Sequence, residues 1–276
     1  MVEAEGIIYM GSMQGEVLAI NPESRFENHS FPQETVGEWR FVAGGAQGGG
    51  LFSCAAPVLV SIYGTPALSE GFVYIGTSLG KVYCLNATSG SERWVYPEEG
   101  SIGSIVGSPV VWNGTVYVGS SDSDLYAIDA ETGQLRAGFA DGGVFQTGDK
   151  IWSTPLVYDG IIYFGSFDHR LYAIDAETGD PVWDEPFETE GAIGSTPFIL
   201  NGTVYIGSFD NSLYAIDAET GEGLWSFQGG NWFWADPATD GETIYLGCLD
   251  GNVYAIDAQT AQDRYRIPGK KKVVLG

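Results

Sequence analysis

The side chains able to act as acids, bases or metal ligands recur along this chain at fixed spacing, and that regularity is the first clue to their role. Asp129, Asp175, Asp217 and Asp257 hold one position shortly before a closing Thr-Gly or its counterpart, and Asn21 and Asn86 hold it elsewhere. Asp and Asn interchange freely where a side-chain oxygen accepts from nearby backbone N–H groups in an Asx-type turn, whereas general acid–base work requires the carboxyl itself. A second series, Asp122, Asp168, Asp210 and Asp250, gives way to Leu79 and Gln14 and again reads as turn-forming. Neither series shows the alternating Asp-x-Asp-x-Asp-Gly loop of a calcium site. Cys54, Cys84 and Cys248 are never adjacent. Cys84 stands where other copies have alanine and Cys248 where they have serine, so both read as small buried substitutes. His29 and His169 are too few and too isolated for a triad or an imidazole metal site. The expectation is no catalytic residue, no metal ligand and no resident cofactor.

What positions these residues is a repeat. GSFDHRLYAIDAETG at 165–179 returns as GSFDNSLYAIDAETG at 207–221. Tyr9, Tyr74, Tyr117, Tyr163, Tyr205 and Tyr245 each open a Tyr-x-Gly, with a second anchor nine residues later: Leu18, Tyr83, Tyr126, Tyr172, Tyr214 and Tyr254. Pro66, Pro109, Pro155, Pro197 and Pro237 each precede a Tyr-x-Gly by eight residues. Trp94, Trp183, Trp225 and Tyr265 follow four residues after a turn glycine or its counterpart Ala261, while Ala137 breaks the rule. Short β-branched and aromatic runs such as TVYVG and SLYAID predict strands. Asn113-Gly114, Asp159-Gly160, Asn201-Gly202 and Asp240-Gly241 predict tight hairpins with positive φ. Four short strands per unit, repeated without helices, predict an all-β, β-propeller fold with six blades, or seven or eight if the chain is a piece of a longer one. The chain reads as a single domain over 1–276, with a Gly-rich insertion at about 22–65.

The units differ most in the segments that join one blade to the next. NWFWADP places Trp232, Phe233 and Trp234 there, and KIWSTP places Trp152 in a comparable position, so these four are the candidate binding residues at the loop mouth. The alternative is that they fill space between blades. Twelve Lys and Arg against 36 Asp and Glu leave a formal charge of −24. That argues against nucleic-acid phosphates and anionic membrane surfaces and favours a soluble monomer. No apolar run approaches the roughly 18 residues of a membrane helix, so direct membrane insertion is not expected. MVEAEGIIYMG lacks the basic start and small-residue cleavage pattern of a signal peptide, so the expectation is either a cytoplasmic chain or a mature or truncated form of an exported one, and Lys270 to Lys272 read as a solvated tail.

The series Pro-(x)7-Tyr-x-Gly, Leu-Tyr-Ala-Ile-Asp-Ala-x-Thr-Gly and a tryptophan four residues on, as in LYAIDAETGDPVW at 171–183, resembles the pyrroloquinoline quinone (PQQ) enzyme-like repeat. That family includes quinoprotein alcohol dehydrogenases and the non-enzymatic propeller lipoprotein of outer-membrane β-barrel assembly. The resemblance implies that Trp94, Trp183 and Trp225, with Tyr265 in the last copy, are staples between blades, and that the chain works in the periplasm, at the cell surface or outside the cell. It also says what a dehydrogenase would bring: a vicinal cysteine pair, calcium ligands and a much longer chain, none of which is read here. The expected function is therefore a non-catalytic scaffold or sensor module that binds another protein. The alternative is a quinone-binding oxidoreductase, and PQQ with calcium is expected only under that alternative.

Overall fold

A computed structural model describes residues 1–23, 31–32, 37–44 and 60–268. Their strands form six four-stranded antiparallel sheets, each built from one continuous stretch of chain with its strands in sequence order, which is the six-bladed propeller class. The chain divides into two compact units, Met1–Thr154 and Pro155–Gly276, with three sheets in each.

In the first unit, sheet 1 comprises β1 (Val2–Ala4), β2 (Ile7–Gly11), β3 (Glu16–Ile20) and β4 (Trp39–Val42). Its fourth strand therefore comes from inside the interval read as an insertion. Sheet 2 comprises β5 (Ala67–Ser69), β6 (Phe72–Gly76), β7 (Val82–Asn86) and β8 (Glu92–Tyr96). Sheet 3 comprises β9 (Val110–Trp112), β10 (Thr115–Gly119), β11 (Asp124–Asp129) and β12 (Val144–Gln146). In the second unit, sheet 4 is β13 (Leu156–Tyr158), β14 (Ile161–Gly165), β15 (Arg170–Asp175) and β16 (Phe187–Glu188). Sheet 5 is β17 (Phe198–Leu200), β18 (Thr203–Gly207), β19 (Ser212–Asp217) and β20 (Gly223–Gln228). Sheet 6 is β21 (Ala238–Thr239), β22 (Thr243–Gly247), β23 (Asn252–Asp257) and β24 (Asp263–Pro268).

The first hairpin of each sheet follows from local chemistry. Asn113-Gly114, Asp159-Gly160 and Asn201-Gly202 all take positive φ at both residues, as a two-residue turn that matches strand twist requires. Asp240-Gly241 differs: only the glycine has positive φ, and the Asp240 carboxylate accepts from the N–H groups of Glu242 and Thr243. Sheets 3 and 4 also depart from the repeat at their outer strands, since β12 and β16 begin beyond Ala137 and Trp183.

The Asp and Asn of the turn after the third strand are structural. Asp129 accepts from the N–H of Glu131 and Thr132, Asp217 from Glu219 and Thr220, and Asn86 from Thr88 and Ser89. Backbone donation from Thr220 holds the Asp217 carboxyl below its ordinary value. The turn so formed presents the carbonyl of the next alanine to the preceding sheet. Ala87 O accepts from Tyr9 Oη at 3.1 Å and Trp39 Nε1 at 2.7 Å. Ala130 O accepts from Tyr74 Oη and Trp94 Nε1, and Ala218 O accepts from Tyr163 Oη and Trp183 Nε1 at 3.1 Å each.

The tryptophan ring also lies on the turn glycine of the next sheet. A Cβ added at Gly90, Gly133 or Gly221 would stand 2.6–2.7 Å from the ring of Trp39, Trp94 or Trp183. Sheets 5 and 6 vary this junction. Ala261 replaces the glycine at φ +59°; Tyr205 Oη still reaches Ala258 O at 3.1 Å, but Trp225 stays half-buried and its indole makes no such bond. A groove of about 690 Å³, lined by Trp225, Leu200, Leu224 and Arg264 among others, opens there. Tyr265, the counterpart in the last sheet, is 49 % exposed and packs on Tyr245. In sheet 3 the ring is Phe139, fully buried against Tyr117 with centroids 5.8 Å apart.

Two outcomes follow for stability. Gly133→Ala is expected to cost about 2–4 kcal/mol, from positive φ and from overpacking against Trp94, whereas Ala261→Gly is expected to stabilise by about 1 kcal/mol by relieving positive φ. Urea midpoints at constant m-value measure both. Burial raises the Tyr163 hydroxyl to about 12. A raised tyrosine leaves its stability intact below its unfolded value of about 10 and loses it as pH climbs through about 12. Urea midpoints between pH 8 and 12 should fall over that window, and Tyr163→Phe should flatten part of the fall.

Candidate functional site

The loops that return from one sheet to the next are pinned by a plug. Ile62, Ile105, Ile151 and Ile193, each four residues ahead of a repeat proline, are buried against the glycine of the preceding Tyr-x-Gly. Each donates its backbone N–H to the residue after that glycine, as Ile105 does to Thr77 O and Ile193 to Ser166 O. Phe233 is the fifth member of this set. It is wholly buried, lies on Gly207 and donates to Ser208 O. The sequence grouped Phe233 with the candidate binding residues at the loop mouth, with space-filling as the alternative, and in the structure its side chain is buried in the core.

Fixing Phe233 sends its neighbours outward. Trp232 and Trp234 are 43 % and 39 % exposed, and between them stands Phe209, from the turn between β18 and β19. The Phe209 ring is 4.7 Å from Trp232 at an interplanar angle of 8°, and 5.0 Å from Trp234 at 19°. Phe167, from the matching turn of sheet 4, meets Phe209 edge-on at 5.4 Å. Gly194 leaves room for both rings, since a Cβ there would stand 3.2 Å from Phe209. Leu249, 58 % exposed, donates its N–H to Trp232 O and extends the patch. Stacked rings with their outer edges in water form an unusually apolar surface for a chain this acidic.

Phe167 and Phe209 were not singled out by sequence. Their signal is the residue before the repeated turn aspartate, which reads Met13, Ser78, Ser121, Phe167, Phe209 and Leu249 along the chain. Trp152 lies in the first unit, half-buried, donating from Nε1 to Ser121 Oγ with Lys150 Nζ 4.7 Å from its ring centroid.

The turn aspartates are tied to the tyrosine four residues on. Tyr126 donates to Asp122, Tyr172 to Asp168, Tyr214 to Asp210 and Tyr254 to Asp250. Burial pushes the Asp250 carboxyl up, but hydrogen bonds led by that from Tyr254 outweigh it and hold the group at about 2. Each of these four carboxylates is thus held by a tyrosine hydroxyl. Asp124 moves the other way, raised by burial and by the nearby Asp122, yet no nucleophile accompanies it. Cys84 is buried, its thiol pushed up to about 11 by burial, and Cys248 is buried with Sγ on Asn231 O. Both are free thiols of the unreactive kind. Cys54 and His29 lie outside the described residues. Among the described residues no group of three or more His, Cys, Asp or Glu could hold a metal ion.

A family model described as outer membrane protein assembly factor BamB matches residues 39–153 and 136–271. The chain belongs to this PQQ-like repeat family. Among solved structures, BamB from Moraxella catarrhalis superposes with a TM-score of 0.70 at 23 % identity, over 98 % of this chain and 75 % of that one. The quinohemoprotein alcohol dehydrogenase ADHIIG from Pseudomonas putida HK5 superposes at 0.57 and 24 % identity, over 75 % of this chain and 42 % of its own. At those identities the likeness is one of fold. No curated protein matches the sequence.

Phe209→Ala should abolish the ring stack while leaving the strands intact. The expected result is a near-ultraviolet circular dichroism band lost together with a red-shifted tryptophan emission, at unchanged far-ultraviolet signal. An unaltered near-ultraviolet spectrum would show that the stack does not persist in solution.

Proposed function

We propose that this propeller is a non-catalytic scaffold that docks another protein through the aromatic face of its second unit, in the periplasm or at the cell surface. The observation that carries the reading is the exposed stack Trp232–Phe209–Trp234. Repeated positions elsewhere are used up in turns and junctions, whereas this patch occupies the loops in which the copies differ. Large apolar surface rimmed by polar groups is how soluble proteins mark a protein interface, and tryptophan is enriched among the residues that dominate binding energy. Membership of a family described by an outer membrane protein assembly factor agrees with a scaffold role. The charge of −24 suits a monomer that meets its partner by that face rather than by self-association.

The fold likeness to a quinohemoprotein dehydrogenase keeps one rival in view, an oxidoreductase that binds PQQ. Tryptophan-fluorescence titration with PQQ, with and without calcium, separates the two. A flat response is expected, and saturable micromolar quenching would favour the rival. For the scaffold itself, Trp232→Ala with Trp234→Ala should remove at least one partner from a crosslinked co-purification that the unsubstituted protein retains. An unchanged set of partners would overturn the reading.

A further inference from the structure

The partner's chemistry can be taken one step further, on the basis of the docking reading above. We propose that the open face of Trp232 seats a cationic side chain, arginine for preference, from a basic segment of the partner. One face of this indole is covered by Phe209, and among the described residues no other ring and no cation lies over Trp232. The ring is also held in place. Its backbone N–H goes to Asn231 Oδ1, its carbonyl accepts from Leu249, and the adjoining Phe233 is buried. An indole so fixed loses little freedom on binding, which favours affinity.

Charge around the patch selects the occupant. Asp168, Asp210 and Asp250 directly follow Phe167, Phe209 and Leu249 in sequence, and Asp236 lies two residues past Trp234. Glu190 joins them, donating its backbone N–H to Asp210. From Pro155 to Pro268 the sequence has nineteen carboxylates and three arginines. Each arginine is already engaged: Arg170 with Glu188, Arg264 with Asp257, and Arg266 with Asp263. An exposed aromatic face with carboxylates on the loops and turns that carry it attracts a cation twice, through the ring quadrupole and through the surrounding field. A guanidinium stacks flat on an indole and can reach a carboxylate with its edge, so arginine fits better than lysine.

The molecule supplies its own precedent. In the first unit Trp152, three residues before Pro155 as Trp234 is before Pro237, carries the Lys150 ammonium 4.7 Å from its ring centroid. Lys150 stands at the repeat position that Trp232 occupies in the later copy. The same loop thus brings its own cation in one copy, and in the other presents an additional indole.

The test is a calorimetric titration of the full chain with three peptides of equal length, in which alternating glycine is interleaved with arginine, lysine or glutamine. Saturable binding is expected for the arginine peptide, weaker binding for lysine and none for glutamine, with affinity falling as salt rises. Trp232→Ala should weaken the arginine peptide by about three- to thirty-fold, the range of an indole–cation contact. Trp232→Phe should lose less, and Leu224→Ala, an exposed apolar control in the same unit, should change nothing. Equal binding of the glutamine peptide, abolished by Trp232→Ala, would overturn the cationic partner while leaving the docking face standing. Arginine-peptide binding that Trp232→Ala leaves untouched would overturn the seat at this face, and so would the absence of any binding by the unsubstituted protein.

Discussion

One carbonyl oxygen per junction holds these sheets together within each unit. The alanine that follows the turn Asp or Asn donates its N–H back to the first hairpin of its own sheet, as Ala130 does to Gly114 O and Ala218 to Gly202 O. Its C=O then accepts a tyrosine hydroxyl and an indole N–H from the sheet before it. Both lone pairs of a buried acceptor are satisfied this way, and leaving either donor unpaired in the core would cost about 1–3 kcal/mol. The glycine three residues further on is required because the tryptophan that reaches the carbonyl must cross the turn at van der Waals distance. Asx turn, alanine carbonyl, glycine and tryptophan form one device.

This accounts for why the acidic residues carry so little chemistry. The aspartates after the third strand shape the turn that presents the carbonyl. Those before it clamp a tyrosine hydroxyl at the end of the same strand. Both jobs use a side-chain oxygen as a hydrogen-bond acceptor, and in the first an asparagine serves as well, as at Asn86, so neither draws on the proton transfer that an acid–base catalyst performs. With the repeated positions taken by architecture, what distinguishes one blade from another is confined to the returning loops and the turns beside them. The aromatic stack lies there.

Much of the fold was legible because it is set locally. Tyr-x-Gly, the Asn-Gly and Asp-Gly hairpins and the closing Thr-Gly are short signals with one steric meaning each, and they locate the inner strands. What was not legible depended on contacts between distant segments. Trp39 does in sheet 1 what Trp94 does in sheet 2, but it follows an interval of unusual length with no turn glycine to count from. Phe139 stands in for the tryptophan missing at Ala137, two residues away and on no repeat position. Phe233 belonged to a visible series of isoleucines four residues before each proline, a pattern hidden by reading those loops as variable. Phe209 reaches its two tryptophans from a turn more than twenty residues earlier, a pairing that spacing alone does not encode.

A carbonyl that accepts the same two donors at nearly every junction carries no information about which sheet should sit beside it. The acceptor turns of sheets 2, 3 and 5, at Ala87, Ala130 and Ala218, each take a tyrosine hydroxyl and an indole, so a partly folded chain meets several neighbours of similar energy, the situation in which repeat proteins are prone to misassembly. Connection length restricts the choice, and the exceptions to the repeat discriminate further. Phe139 in place of tryptophan, Ala261 in place of glycine and Phe233 in place of isoleucine each make one edge unlike the rest. Departures that weaken an individual contact can therefore act as labels for blade order, favouring one arrangement among near-equivalent ones.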